Sequence, residues 1–414
     1  MALTFLVGIQ LARYLGVEGY GIYGSVFAVA SIGVATSSGG VTILCTRNTA
    51  ALRAKSDMPG VRRLLIWAVR HIMICLGPVS ALAALAIWSV MGLPFHAALV
   101  GAGLIWLLAV LAVFAAFLRG LDDVTLGVAL NAMIRPLVFS ALLALTAWLA
   151  LPLTPTLALT MAGIAICISI IIGSVKLLTV LRAPRALGSA EEAPEWYRAV
   201  MTMRMAEILR IAEAMMPLIV VGMVASMSEA GAFRVAASIA VLGSIAVSVA
   251  HLALPPSFAR LNANGDFHGM KRLASITAVL ITMPSLILLL LSLELGEWAI
   301  VHTFGEEFKL AAVPTSIMLA SNFLLASSGA SQVVLETKHA ESAVNAGFTL
   351  SLTMTFLLVF SLTPTFGAIG AALAVMGGAL VRSAAMTTLC LVRTGINPSI
   401  LSVGSLFSKT SESL

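Results

Sequence analysis

Charge is scarce in this chain. Only 10% of its 414 residues are charged and only 7% are aromatic, four of them tyrosine. A soluble domain carries roughly a quarter of its residues as charge, so an ordinary soluble fold is excluded. Cys45, Cys75, Cys167 and Cys390 stand far apart, with no CxxC pair and no Cys/His ligand spacing. That argues against zinc and iron–sulfur sites, and leaves cysteine as a small apolar packing residue. No metal site and no catalytic residue is assigned. A GxxxxGK run followed by Ser or Thr is missing, so the chain itself does not hydrolyse ATP. Ten-residue alternating segments are missing too, which rules out a transmembrane barrel. The net charge of +6 includes no basic stripe interleaved with aromatics, so nucleic acid is not an expected partner.

What the chain has instead is apolar length. Sixty per cent of it is hydrophobic, its mean hydropathy is +1.06, and runs of about 20 apolar residues, enough to cross the bilayer's hydrocarbon, recur from end to end. Breaks at charges, Gly and Pro divide it into twelve segments: 1–15, 22–44, 68–92, 97–118, 124–151, 155–181, 203–226, 230–254, 274–300, 310–334, 341–361 and 366–391. The expected fold class is all-α: a polytopic membrane protein of about 12 transmembrane helices, in two six-helix lobes around a central cavity. The opening run before Arg13 is short for a span unless its helix continues to about Leu15. It lacks the basic start of a signal peptide, and the expectation is that the true first helix begins upstream.

Orientation follows the lysines and arginines. Connections after even-numbered segments hold most of the 24, among them Arg47, Arg53, Lys55, Arg62, Arg63, Arg119, Arg182, Arg260, Lys271, Arg272 and Lys338. The opposite connections hold Glu18, Glu229, Glu294, Glu297, Glu306 and Glu307. Both termini are therefore expected in the cytoplasm. The stretch RALGSAEEAPEW, Arg185 to Trp196, is the most linker-like in the chain. It suggests an N-terminal lobe over 1–182, a cytoplasmic linker over 183–202, a C-terminal lobe over 203–392 and a cytoplasmic tail over 393–414. An offset of 210 residues matches Gly21, Tyr23 and Ala28 with Gly231, Phe233 and Ser238, a weak sign of the repeats transporters use.

A charge facing lipid at mid-membrane costs at least about 2.5–3.5 kcal/mol, so deep ionisable residues mark a cavity, a partner or water. Arg135 lies eleven residues into the fifth segment, roughly 16 Å deep at helical rise. Asn131 sits one turn before it. Arg210 and Glu213 lie inside the seventh segment, where Arg204, Glu207, Arg210 and Glu213 follow at steps of three and can pair internally. Arg382 lies in the twelfth, and Arg13 near the outer end of the first, where it can also snorkel to headgroups. Pro136 and Pro217 are expected helix bends. Arginines outnumber deep acids, so the cavity would attract an anionic group, phosphate above all, which guanidinium binds bidentately. An acid among them, Glu207 or Glu213, is a candidate for H⁺ or Na⁺ coupling; no other cofactor is expected.

LARYLGVEGYGIYGSVFAVASI resembles the first-helix exit and second-helix entry of the polysaccharide flippases, the Wzx-like branch of the multidrug/oligosaccharidyl-lipid/polysaccharide (MOP) exporter superfamily. GAFRVAASIAVLGSIA, PPSFARLNANGDFHGMKRLAS, FGEEFKLAAVPTSIMLASNF and FGAIGAALAVMGGALVR resemble later elements of the same family, in the same order. The resemblance implies two six-helix lobes, alternating access, and transfer of a polyprenyl-pyrophosphate-linked oligosaccharide from the inner to the outer leaflet. Arg13 matches the arginine of the family's first-helix motif. Arg135, Arg210, Arg382 and Asn131 are placed by depth as the pyrophosphate-binding set. Expected partners are the lipid-linked glycan, membrane lipids, and glycan polymerase or glycosyltransferase enzymes of the bacterial cytoplasmic membrane.

Two other readings stand beside this one. An ion-coupled multidrug exporter would need a cavity dominated by carboxylates and aromatics. A membrane glycan polymerase or ligase would need a sizeable outer loop with catalytic groups, and the outer connections are short except near Leu295 to Lys309.

Overall fold

The structure, a computed structural model, describes residues 2–182, 192–338 and 340–400. Linker residues 183–191, His339 and tail residues 401–414 lie outside the described residues. Among the described residues every regular element is helical. The first elements are α1 (Ala2–Ser38), α2 (Val41–Ala54), α3 (Met58–Leu85), α4 (Phe95–Gly120), α5 (Val124–Ala129), α6 (Arg135–Trp148), α7 (Pro155–Leu181) and α8 (Glu192–Val224). There follow α9 (Met227–Gly243), α10 (Ile245–Ala253), α11 (Pro255–Ala263), α12 (Phe267–Phe304), α13 (Ala312–Ser327), α14 (Ser331–Thr337) and α15 (Glu341–Thr394). Residues 192–202 of the linker-like stretch are helical and extend the seventh segment toward its amino end.

Eight described helices or helix runs are long and apolar enough to cross a membrane, and a ninth if the pair α9–α10, bent by 47°, is one span. Two of the eight are double. α1 is broken at Gly16 (φ 68°, ψ 178°) and α15 at Gly367 (φ 55°, ψ −131°). Dividing both there and adding α8 recovers the twelve segments of the sequence. The first segment does run to Leu15, and its connection to the second is the single residue Gly16. Positive φ with those ψ values is open to glycine and strained for other residues.

Side chains cap the helices that follow loops. Asp57, Asp123 and Asp266 accept from Gly60, Leu126 and Gly269 N–H at 2.8, 3.3 and 2.7 Å. Thr154 and Ser226 do the same for Leu157 and Glu229 at 3.2 and 3.1 Å. Each removes an orphan backbone donor that would otherwise need water at the membrane edge.

The chain forms two compact units, Met1–Met223 and Val224–Leu414. The boundary falls after α8, beyond the 183–202 stretch, because α8 packs with the first unit: a Cβ on Gly40 would lie 2.5 Å from the Val200 carbonyl, and one on Gly222 2.7 Å from Ser25. In the first unit α4 is the hub, touching α1, α2, α3 and α7, with Ile105, Leu111, Val113, Phe117 and Leu118 wholly buried. In the second α13 is the hub, against α9, α12 and α15. A further core there gathers Phe258, Met270, Ala274, Val334, Cys390 and Ile396.

The break at Gly367 is held from another helix of its own unit. The Glu229 carboxylate of α9 accepts from the Ala368 N–H at 2.8 Å, and a Cβ on Gly367 would sit 2.8 Å from that carboxylate. Gly367→Ala is therefore expected to cost about 1–3 kcal/mol. Gly103→Ala, where a Cβ meets nothing within 4 Å, should be neutral or stabilise by up to about 1 kcal/mol. Melting of the two variants in the same detergent checks this, and equal midpoints would refute it.

At the α4–α5 connection, Asp123 pairs with Lys176 Nζ at 2.5 Å. That bond, with the Leu126 N–H, holds the Asp123 carboxyl below the usual carboxylate range. A carboxyl that titrates lower in the folded chain than in the unfolded one stabilises fully above about pH 4 and loses that contribution as pH falls through its folded value. Lys176 is largely exposed, so the gain is below about 1 kcal/mol. Thermal melts taken between about pH 5 and about pH 3 should show a shallower acid-side loss for Asp123→Asn than for the parent chain.

Candidate functional site

A cavity of about 290 Å³ opens inside the first unit. Helical spacing builds it. Phe27, Ser31, Val34 and Ser38 recur on one face of α1, Leu108 and Ala112 on α4, and Glu207 and Ile211 on α8. Gly39 and Thr42 close one end, and Asn131 and Arg135 supply the remaining wall.

The Asn131–Arg135 wall depends on a defect in the fifth segment. Pro136 has no N–H to return to the carbonyl one turn back, so the helix cannot continue its ladder there. Instead residues Leu130–Ile134 form a π-helical turn, closed by the Arg135 N–H to the Leu130 carbonyl. The wider turn carries both polar side chains onto the cavity. Pro136 itself is buried in the first turn of α6.

The cavity's charges are unequal in their commitments. Glu207 is held by Arg210, whose Nη2 and Nε donate to its two carboxylate oxygens at 2.7 and 3.1 Å. Arg135 has no such tie. Among the described residues its guanidinium makes no hydrogen bond or ion pair, and its one electrostatic neighbour is Tyr23. The Asn131 amide makes none either. Ser31 and Ser38 donate to the carbonyls of Phe27 and Val34 at 2.8 Å, which leaves oxygen lone pairs for the cavity. The result is one uncommitted cation beside a carboxamide, with the acid on the facing wall already neutralised.

Of the residues singled out in the sequence, the cavity brings together Asn131, Arg135 and Glu207. Arg210 is mostly exposed and reaches the cavity only through Glu207. Arg13 is exposed on the first half of α1, and Glu213 is half-buried on α8; neither lines the cavity. Pro217 is buried within α8, which continues through it. Arg382 belongs to the second unit, where it lies over the Phe348 ring at 5.0 Å. The hydroxyl wall of Ser31, Ser38 and Thr42 was missed by a search for charges, although its spacing in an apolar helix is visible in the sequence. Among the described residues no group of three or more His, Cys, Asp or Glu is gathered as a metal site would require.

No protein-family model matches the chain, and no curated protein matches it. Solved structures do. A multidrug resistance MATE family transporter of the MOP superfamily, in its inward-facing conformation, superposes with a TM-score of 0.72 at 13% identity, covering 94% of this chain and 93% of that one. The lipid II flippase MurJ, inward closed, gives 0.70 at 14% identity over 95% and 85%. A MOP superfamily transporter from Pyrococcus furiosus, for which reverse polarity of the binding pocket is described as suggesting a different function, gives 0.58 at 12% over 97% and 92%. At such identities the likeness shows the fold: this multi-pass membrane protein is built as those transporters are.

Proposed function

We propose that this chain is a flippase for an anionic lipid-linked substrate, a polyprenyl-pyrophosphate-linked oligosaccharide, moved from the inner to the outer leaflet. The observation that carries the reading is the uncommitted Arg135 guanidinium on a polar cavity, with Asn131 beside it. A charge so deep in an apolar segment costs at least about 2.5–3.5 kcal/mol unless water or a ligand receives it. A guanidinium fork matches phosphate oxygens, and a carboxamide adds a donor in the same place. Arg210 contributes indirectly, because while it holds Glu207 the cavity keeps its positive balance.

The same reading places the chain in a bacterial cytoplasmic membrane with both termini inside, working as a carrier beside the glycosyltransferases and polymerases of capsule, O-antigen or exopolysaccharide assembly. The sugar head occupies the wet cavity while the lipid tail stays in the bilayer. Glu213, and Glu207 once Arg210 releases it, are the candidate sites for a coupling proton or Na⁺.

A second reading, an ion-coupled exporter of cationic drugs, draws on Glu207 in the cavity wall and on the multidrug transporter among the structural neighbours. It needs Glu207 free, and Glu207 is held by two hydrogen bonds.

Replacing Arg135 tests the first reading. A hydrogen bond to a charged group contributes about 1.5–3 kcal/mol, or roughly tenfold to a hundredfold in affinity. Arg135→Ala should lower glycan export by about that factor at matched expression, and Arg135→Lys should retain part of it as a point charge. Arg210→Ala should lose less. Undiminished export by Arg135→Ala would remove the cavity from the mechanism. Resistance conferred on an efflux-deficient host, lost on Glu207→Gln, would favour the second reading.

A further inference from the structure

A second polar cluster in the first unit takes no part in the cavity. Near the start of α3, Trp67 and His71 stack at 5.2 Å, one turn apart. Trp196 and Tyr197 of α8 meet Trp67 edge-on at 5.3 and 5.2 Å, and Tyr197 meets His71 at 5.1 Å. Arg204, two turns further along α8, donates from Nη2 to Nε2 of His71 at 2.5 Å and from Nε to the Gly39 carbonyl at 3.4 Å. One guanidinium thus ties α8 to both α3 and the end of α1.

The tie depends on protonation. A guanidinium only donates, so Nε2 of His71 must present its lone pair and the ring must be neutral, with its proton on Nδ1. The titratable and charged groups facing His71 are Arg204 and Tyr197 on α8 and Cys75 on its own helix, 3.9 Å away. From the turn after α1 the cluster receives the Gly39 backbone carbonyl. The carboxylate nearest along α8, Glu207, one turn from Arg204, is already held by Arg210 and does not balance a second cation here. Adding a proton to His71 removes the acceptor and sets two positive groups against each other at a residue only 5% exposed. A free imidazole gains its proton near pH 6.5, and burial beside a cation opposes that charge, so release is driven from the acid side.

Arg204 shares its face of α8 with Glu207 and Ile211, at i, i+3 and i+7, and those two residues form the α8 wall of the cavity. We propose that His71 is a proton-binding site that latches the inner half of α8: neutral, it holds Arg204; protonated, it releases Arg204 and with it the wall carrying Glu207 and Ile211. This goes beyond the transport reading and does not rest on the identity of the cargo.

The experiment uses the full chain in lipid nanodiscs, spin-labelled at Ile66 of α3 and Met201 of α8. Both positions are exposed, and the native cysteines are replaced by alanine. Pulsed dipolar spectroscopy should give one distance population at about pH 8 and a longer or two-component distribution at about pH 5.5. His71→Gln, neutral at both pH values with an acceptor oxygen, should keep the short distance throughout, and His71→Lys should show the long one throughout. Arg204→Gln, which removes the repelling cation, should abolish the pH response. If the cysteine-free chain does not fold, the same comparison is made on the tryptophan emission of the unlabelled chain, in which Trp67 and Trp196 report the contact. Superimposable signals at the two pH values, or a response that survives His71→Gln, would overturn the proposal.

Discussion

A guanidinium inside an apolar segment has few resting places: a carboxylate, another acceptor, an aromatic face, or a void that water or a ligand can enter. This chain uses all four. Arg210 takes Glu207, Arg204 takes His71 and a carbonyl, and Arg382 takes the face of Phe348. Arg135 is left with the cavity. The difference matters because a charge satisfied within the protein has no call on a substrate. Arg135, Arg210 and Arg382 looked alike by depth in the sequence; their partners separate Arg135, which faces the cavity, from two that are engaged within the protein.

Backbone groups face the same solvent. In hydrocarbon an unsatisfied N–H or C=O costs several kcal/mol, so a break in a spanning helix must be repaired locally. At Gly367 the repair is the Glu229 carboxylate on the freed Ala368 N–H. Before Pro136 it is a π-helical turn that keeps the ladder closed while shifting its register. The second repair places the site: without it, Asn131 and Arg135 would occupy a different azimuth on the fifth segment.

The segment count was legible because hydropathy and the run of charge breaks are local properties, and the helices follow them closely. That Arg135 and Asn131, one turn apart, share a face was legible too, and both line the cavity. Helix Glu192–Val224 was harder to read. Its amino-terminal part looks like linker by composition, yet it folds as helix and seats on α1 and α3. Pairing on that helix was ambiguous at steps of three, because Glu207 can reach Arg204 or Arg210 with equal ease. The choice was made by His71, 133 residues upstream of Arg204, which competes for its guanidinium. No periodicity carries that information. Long-range partnership between polar side chains is what composition and spacing do not encode.

The offset of 210 residues, slight as a sequence match, gains physical content from the breaks. Gly16 interrupts the helix ahead of Gly21, and the residue 210 positions later, Ser226, caps the helix ahead of Gly231. The contacts at the heads of the two matching helices also correspond. In the first unit a Cβ on Gly19 would meet Pro155, the first residue of α7, at 3.4 Å. In the second, Glu229 meets Gly367 and Ala368, where the last segment begins. The start of the second segment thus lies beside the start of the sixth, and the start of the eighth beside the start of the twelfth. In one case Gly19 lies in ordinary contact range of the Pro155 ring; in the other a carboxylate caps the break. Two different contacts at one register are compatible with a diverged repeat, since the bilayer constrains the geometry and not the residue that satisfies it.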